Sequence, residues 1–125
     1  SKEHPLCKKE NIKLKDLENE NFLLINPGTN LRKTIDKNFK RLKFNPKVTL
    51  ELGQCSNILI YVEKNLGISI VPKVDIIGQF ILELQIINVK NLDLKRTIYV
   101  NWFPRKNENL TLKYIENFIE DFFLK

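Results

Sequence analysis

Histidine and cysteine are scarce in this sequence, which argues against the common protein metal sites. The 125 residues include one histidine, His4, and two cysteines, Cys7 and Cys55, which lie far apart and belong to no CxxC pair. A structural zinc site takes about four ligands, mostly of these two residue types and at short spacings. We therefore predict no metal site.

The two cysteines are predicted to differ in their surroundings. Cys55 directly precedes an apolar segment, which favours a small, buried hydrophobic residue. Cys7 lies beside Lys8 and Lys9, and reactive thiols occur in such electropositive neighbourhoods. A redox pair formed by Cys7 and Cys55 is the alternative interpretation.

Motifs for export, membrane insertion and nucleotide binding are also missing. No apolar run reaches the roughly 18 residues of a membrane span, and the first five residues have no signal-peptide character. Neither GxGxxG nor GxxxxGK(S/T) occurs, and His4 lies in the N-terminal tail, away from any serine–aspartate pair. The carboxylates of Glu120 and Asp121 fall on the polar face of a predicted helix. We predict a cytoplasmic protein that is not an enzyme, has no cofactor and does not contact membranes.

The positive charge is spread along the chain rather than gathered into a patch. The formal net charge is +6, and the lysines are scattered without an arginine-rich run. In residues 31–43 four lysines fall opposite an apolar stripe, as expected of a solvated helix face. No helix-turn-helix pattern and no basic platform with aromatic residues is present. We favour a solvated surface over the alternative of a nucleic-acid-binding module.

The length of 125 residues suits one compact domain, and apolar periodicity predicts that strands and helices alternate along it. Residues 22–26 form a continuous apolar run, typical of a strand buried on both faces of a parallel sheet. Thr29 or Asn30 is placed to cap the helix that follows. The predicted strands are residues 22–26, 48–52 and 68–72, and the helices between them are residues 31–43 and a segment from Gln54 or Ser56 to residues 65–67.

Further elements are predicted after the third strand. A short turn or helix lies around residues 74–77, strands follow at 80–87 and 96–103, and a last helix covers 110–124. Trp102 lies on the strand predicted at 96–103, and its side chain is expected to pack in the core or at the interface between lobes. The last helix carries two bulky aromatic residues within the final four positions, and such an apolar face needs a surface to cover it.

Several segments resemble, in this order, the effector-binding region of LysR-type transcriptional regulators. HPL at residues 4–6 resembles the opening of the second lobe, KDLENENF at 15–22 the entry to its first strand, and PGTNLR at 27–32 the loop and helix that follow. NLGISIVP at residues 65–72 is similar to the family's GlGiaivP segment. Asn65 replaces a glycine there, a mild change because asparagine also accepts a left-handed helix end.

The resemblance implies an α/β fold: a Rossmann-like, type 2 periplasmic-binding-protein-like lobe with a central, mostly parallel sheet flanked by helices. Residues 1–95 would form the second lobe of the effector-binding region. Residues 96–125, a strand and the C-terminal helix, would return to the first lobe. The rest of the first lobe and the DNA-binding domain would precede Ser1.

The implied function is sensing: a small molecule bound in the cleft between the lobes would control DNA binding and transcription. The partners implied are a small-molecule effector, a second copy in a dimer, and DNA through the missing N-terminal domain alone. His4 would lie at the hinge between the lobes and is expected to be exposed to solvent. The alternative is a solute-binding protein of a transport system, which the lack of an export signal disfavours.

Two loops that follow predicted strands form the candidate ligand site, because ligands of open α/β sheets bind beyond the carboxyl ends of the strands. Glycine lets the first loop approach a ligand closely, and the free N–H groups at the helix start favour an anion. The resemblance agrees, because this loop contacts the effector in the family. In the second loop a plain helix cap is the simpler role. The predicted ligand-binding residues are Pro27, Gly28, Thr29, Asn30, Gln54 and Ser56.

Overall fold

A buried strand, formed by the apolar run at residues 22–25, lies at the centre of the first part of the chain. In the computed structural model, which describes residues 1–77, 83–95, 99 and 109–123, β1 (Asn21–Ile25) pairs in parallel with β2 (Lys47–Leu52). The chain divides into two compact units, Ser1–Lys95 and Arg96–Lys125. The two strands were predicted from apolar periodicity and are confirmed.

Helices cover both faces of this sheet. The first helix, α1 (Asn30–Arg41), packs against one face of β1, and α2 (Cys55–Glu63) packs against the other. The α1 side buries Phe22, Leu24, Ile35, Phe39 and Phe44. The α2 side buries Leu23, Ile25, Ile58 and Val62. Alternate residues of one strand therefore serve two separate cores, which confirms the α/β architecture with a parallel sheet flanked by helices.

The lysine face of α1 is solvated, as predicted. Lys33, Lys37, Lys40 and Lys43 are all exposed, while Ile35 is fully buried. The helix ends in a tight turn in which Lys43 takes a left-handed conformation with φ 53°. Phe44 N–H then donates to Phe39 O at 2.9 Å, the six-to-one hydrogen bond of a Schellman cap.

The third predicted strand, residues 68–72, is wrong as a full strand. Ile68 alone forms a bridge to Phe22, through hydrogen bonds of 2.9 Å from Leu23 N–H to Ile68 O and from Ile68 N–H to Asn21 O. The Ser69 hydroxyl then donates to Leu23 O at 2.5 Å, so a side chain occupies the carbonyl that the next ladder bond would use. A side-chain hydrogen bond from Ser69 across to β1 thus replaces the strand ladder after one residue.

The turn that precedes this segment is built as the sequence indicated. Asn65 takes the left-handed conformation with φ 60°, and Leu66 N–H donates to Tyr61 O at 3.2 Å to close α2. Gly67 has a different role, because it lies directly against the backbone of Asn21. Asparagine therefore ends the helix, and glycine allows the chain to approach β1.

The later predicted elements are described in part. The short helix α3 (Lys73–Ile77) confirms the element expected around residues 74–77. Of the strand predicted at residues 80–87, residues 83–87 are described and are not a strand, and 80–82 lie outside the described residues. The strand predicted at 96–103, which includes Trp102, also lies outside them except for Tyr99.

The second unit contains α4 (Leu110–Phe123), which confirms the predicted last helix. Its apolar side chains are largely exposed, with Phe118 at 60% and Phe122 at 68% of their full accessibility. The rings of Phe118 and Phe122 stack with centroids 6.0 Å apart. None of the helices in the described part of the chain is both long and apolar enough to cross a bilayer.

His4 is buried, contrary to the expectation of an exposed residue. It is 8% exposed, and its ring contacts Glu20 and the backbone of Leu6 in the 3-10 turn Pro5–Lys8. Burial costs little here because both ring nitrogens have hydrogen-bond partners. The sequence alone placed this residue in a tail, whereas the fold brings it against the segment that leads into β1.

Candidate functional site

The two predicted loops lie side by side at the carboxyl ends of β1 and β2. Asn26 N–H donates to Leu52 O at 2.8 Å, so the hydrogen-bond ladder continues one residue beyond β1. A Cβ atom placed on Gly53 would lie 3.8 Å from the side-chain nitrogen of Asn26. Because the strands are parallel neighbours, both loops open at the same edge of the sheet. Asn26, which was not among the predicted ligand-binding residues, lies between them.

Thr29 is the residue that caps α1. Its hydroxyl accepts a hydrogen bond from Arg32 N–H at 3.2 Å and donates one to Asn26 O at 3.2 Å. A hydroxyl has one proton, so this group can only accept a further hydrogen bond while the loop keeps this geometry. Thr29 therefore supports the loop and is poorly suited to contact an anion directly.

The rest of the first loop is open to solvent. Pro27, Gly28 and Asn30 are exposed, and Gly28 has φ 92°, a conformation that favours glycine. At the start of α1 the amide N–H groups of Asn30 and Leu31 have no acceptor within the helix. These donors, together with the positive end of the helix dipole, form the part of the loop best suited to an anionic group.

The second loop leaves a polar side chain unused by the helix. Gln54 occupies the N-cap position of α2 with an extended backbone, but its side chain makes no capping hydrogen bond. Gln54 is exposed, and Ser56 is half-buried in the first turn of the helix. Gln54 is thus the N-cap residue of α2 through its backbone, whose carbonyl accepts from Ile58 N–H at 3.3 Å, while its side-chain amide takes no part in the cap.

Arg32 is a charged residue of this edge that the predicted site did not include. Its Nη1 donates to Ile25 O at 2.9 Å and to Glu51 Oε1 at 2.6 Å, and its Nε donates to Asp36 Oδ1 at 2.8 Å. Burial lowers the pKa of Arg32, but the hydrogen bonds to Glu51 and Asp36 outweigh this effect and raise the pKa above its usual value. Two carboxylates thus neutralise the guanidinium, which ties α1 to the ends of both strands.

A separate apolar cavity of about 270 Å³ lies in the first unit, and none of the six predicted residues lines it. Its wall is formed mainly by the segment after Gly67 and by residues 84–94, with Ser69, Gln85 and Asn88 as its polar members. The cavity and the two loops are thus different parts of the surface. The loops have the polar, helix-start chemistry predicted for a ligand, and the cavity does not.

The cysteines and acidic residues show no metal-site geometry. In the residues that the structure describes, no three histidine, cysteine, aspartate or glutamate side chains gather as ligands. Cys7 and Cys55 form no disulfide with each other. Cys7 is half-buried and its thiol donates to Ser1 O at 3.2 Å, while Cys55 packs against the core on the α2 side.

Replacing Thr29 tests its role as a cap. We expect Thr29→Val to lower the free energy of unfolding by about 1 kcal/mol, because Arg32 N–H loses its acceptor, whereas Thr29→Ser keeps the hydroxyl and changes it little. Urea unfolding of the three proteins measures the difference. Equal stability of the valine and serine variants would show that the hydroxyl does not cap the helix.

Comparison with known proteins gives a consistent family. The sequence profile described as "LysR substrate binding domain" matches residues 1–122. The chain is 31% identical over 100 residues to the uncharacterized HTH-type transcriptional regulator YybE of Bacillus subtilis (strain 168), covering 80% of this chain and 34% of that protein. It is 35% identical over 72 residues to another such regulator, YnfL of Escherichia coli (strain K12), covering 56% of this chain and 24% of that protein. The chain thus spans about a third or less of these relatives.

The fold of this chain is similar to those of two solved structures. The regulatory domain of CcmR from Synechocystis PCC6803, in complex with 2-PG, superposes with a TM-score of 0.83 at 25% identity, covering 96% of this chain and 58% of that one. The effector binding domain of QuiR, in complex with shikimate, superposes with a TM-score of 0.54 at 29% identity, covering 58% of this chain and 35% of that one.

Proposed function

Because this chain belongs to the LysR substrate binding domain family, we propose that it is one lobe of an effector sensor within a longer transcriptional regulator. Its curated relatives are named HTH-type transcriptional regulators, and the chain spans 34% of YybE. The remaining length of such a protein has room for a first lobe and a DNA-binding domain. Residues 1–95 form the second lobe in this proposal, and residues 96–125 return to the first. The division of the chain after Lys95 supports this assignment.

The ligand class that suits the site is a small anion, such as a carboxylate. The observation that carries this proposal is the exposed start of α1, where two amide N–H groups without helical acceptors follow Gly28. Arg32 does not supply the counter-charge, because Glu51 and Asp36 already neutralise it. The solved relatives are bound to shikimate and 2-PG, both of which carry acidic groups.

Each predicted residue has a role in this proposal. The backbone of Pro27 and Gly28 lies against the ligand, and Asn30 offers its amide N–H and side chain. Gln54 and Ser56 contribute from the second loop, and Thr29 holds the first loop in shape. Most of these contacts are hydrogen bonds from neutral donors, so orientation of the ligand depends on the geometry of the loop rather than on a buried cation.

Signal transmission follows from closure of two lobes around the ligand. A ligand that contacts both lobes binds the closed state more tightly and shifts the population toward it, which changes how the DNA-binding domains are arranged. The chain supplies half of such a site, so its affinity in isolation should be weaker than that of the complete sensor. In this proposal the domain performs no catalysis, works in the cytoplasm where DNA is reached, and pairs with a second copy of the regulator.

The Asn30→Asp substitution should weaken ligand binding without weakening the fold. A carboxylate in the first turn of α1 favours the helix dipole and should leave stability unchanged or raise it slightly. The same charge repels an anionic ligand a few ångströms away by roughly 1–4 kcal/mol, so we expect an affinity about tenfold lower or worse. Isothermal titration of the complete regulator with shikimate, 2-PG and related carboxylates measures this.

The matched control is Asn45→Asp, which makes the same charge change elsewhere. Asn45 is exposed and precedes β2, so it lies toward the amino end of the strand, at the edge opposite the two loops. The Asn45→Asp variant should bind the ligand with the same affinity as the unmodified protein. A ligand that binds the two aspartate variants equally well would place the anion site somewhere other than the start of α1.

A further inference from the structure

His4 holds the first residues of the chain in place, and we call residues 1–6 the entering segment. His4 Nε2 lies 3.2 Å from Glu20 Oε2, and Nδ1 lies 3.3 Å from the amide nitrogen of Leu6. The His4 side chain is 10% exposed, and the Glu20 side chain is 28% exposed. One ring therefore joins the turn that follows it to a residue sixteen positions later in the chain.

The hydrogen-bond partners fix which ring nitrogen carries the proton. Leu6 N–H can only donate, so Nδ1 must be unprotonated and act as an acceptor. The proton of a neutral ring then lies on Nε2, where it is donated to the carboxylate of Glu20. The site accordingly accepts one tautomer.

The contact with Glu20 links the entering segment to the central strand. Glu20 directly precedes β1, and the far end of β1 leads into the loop at residues 26–29. The entering segment is also held by the hydrogen bond of 2.8 Å from Lys2 N–H to Glu83 O and by Leu6, which is buried in the core on the α1 side. Ser1 O accepts from His4 N–H at 3.2 Å, so the backbone around the ring is also fixed.

We propose that His4 is a positioning residue, which in its Nε2–H tautomer clamps the entering segment of the chain to the start of β1. A role in the hinge between the lobes, where the sequence resemblance places His4, rests on the proposed function. Rotation of the segment relative to β1 would stretch the contact between His4 and Glu20.

The tautomer can be observed directly, because His4 is the one histidine of the chain. In nitrogen-15 NMR spectra of the 125-residue chain at neutral pH, we expect a protonated Nε2 and an unprotonated Nδ1. A ring that carries its proton on Nδ1, or that exchanges freely between both forms, would overturn the proposal.

Two substitutions remove the ring contacts one at a time. In His4→Asn the side-chain oxygen can replace Nδ1, so Leu6 N–H keeps its acceptor while the contact with Glu20 is lost. In His4→Gln the side chain can still reach Glu20, but Leu6 N–H loses its acceptor. We expect amide exchange at Leu6 to accelerate about tenfold in His4→Gln and to change little in His4→Asn.

The positioning role has its own readout at Lys2, whose amide does not touch the ring. Loss of the Glu20 contact should loosen the residues that precede the buried Leu6, so we expect amide exchange at Lys2 to rise about tenfold in His4→Asn. Glu20→Ala gives the same result without altering His4, and Glu18→Ala, at an exposed neighbour, is its control. Unchanged exchange at Lys2 in Glu20→Ala would overturn the proposal. Failure of every carboxylate to bind the complete regulator would instead remove the proposed function and leave these measurements intact.

Discussion

Phe22→Ala is expected to lower the free energy of unfolding of the first unit by about 3–5 kcal/mol. Phe22 is fully buried on β1, and its ring meets those of Phe39 and Phe44 edge-on, with centroids 5.7 and 5.8 Å away. Removal of the ring loses its transfer free energy and leaves a cavity that its neighbours, held by the strand and α1, fill poorly. Since domains of this size are stable by about 5–15 kcal/mol, the loss should be a large fraction of the total.

Phe118→Ala is the matched control for this change. Phe118 is 60% exposed on α4, so the same deletion removes little buried surface beyond its stacking with Phe122. We expect a loss below about 1 kcal/mol. Chemical denaturation followed by circular dichroism measures both variants. Equal losses in the two variants would show that the phenylalanine cluster on the α1 side is not the main core of the first unit.

Gly67→Ala should produce the second large effect. A Cβ atom on Gly67 would press against the carbonyl oxygen of Asn21, which is part of the backbone of β1 and has no side-chain freedom to move away. The segment after Gly67 would have to separate from β1, and the two hydrogen bonds between Ile68 and the strand would be lost. We expect a cost of at least about 1–3 kcal/mol, measured by thermal unfolding.

Gly53→Ala provides the comparison, because it adds the same methyl group where there is room. The nearest atom to a Cβ at Gly53 is the Asn26 side-chain nitrogen at 3.8 Å, an ordinary contact. The substitution should be neutral or slightly stabilising, because alanine reduces the freedom of the unfolded chain. If Gly67→Ala were tolerated as well as Gly53→Ala, the close approach of residue 67 to β1 would be contradicted.

Elements with strong local patterns could be predicted from the sequence. The apolar run at residues 22–26 indicated a strand buried on both faces. The first helix, α1, was indicated by a stripe of four apolar residues at helical spacing and by a threonine placed to cap it. The third strand could not be predicted correctly, because its apolar alternation is the same whether or not Ser69 takes a backbone carbonyl. That choice depends on Leu23, which lies 46 positions earlier in the chain.

Contacts between distant residues account for what the sequence did not indicate at the site. The positions of the two loops followed from strand order, but the neutralisation of Arg32 depends on Glu51, which is 19 residues away. The burial of His4 likewise depends on Glu20. The hydroxyl of Thr29 already donates its one proton to Asn26 O, a contact that the sequence alone did not indicate. The types of residue in the sequence indicated the candidate site residues, but their hydrogen-bond partners are known only from the structure.

The measurement that tests the central claim most directly is a thermal-shift comparison of the complete regulator and this 125-residue chain. Both are screened against shikimate, 2-PG, other small carboxylates, amino acids and inorganic oxyanions. We predict a carboxylate that raises the melting temperature of the regulator strongly and that of the chain weakly, because in the proposed function the chain holds half of the site. Ligand at 100 times its Kd should add about 2.7 kcal/mol of stability. No shift in either protein, together with tight and salt-sensitive binding of this chain to DNA, would contradict the sensor and favour a basic nucleic-acid-binding module.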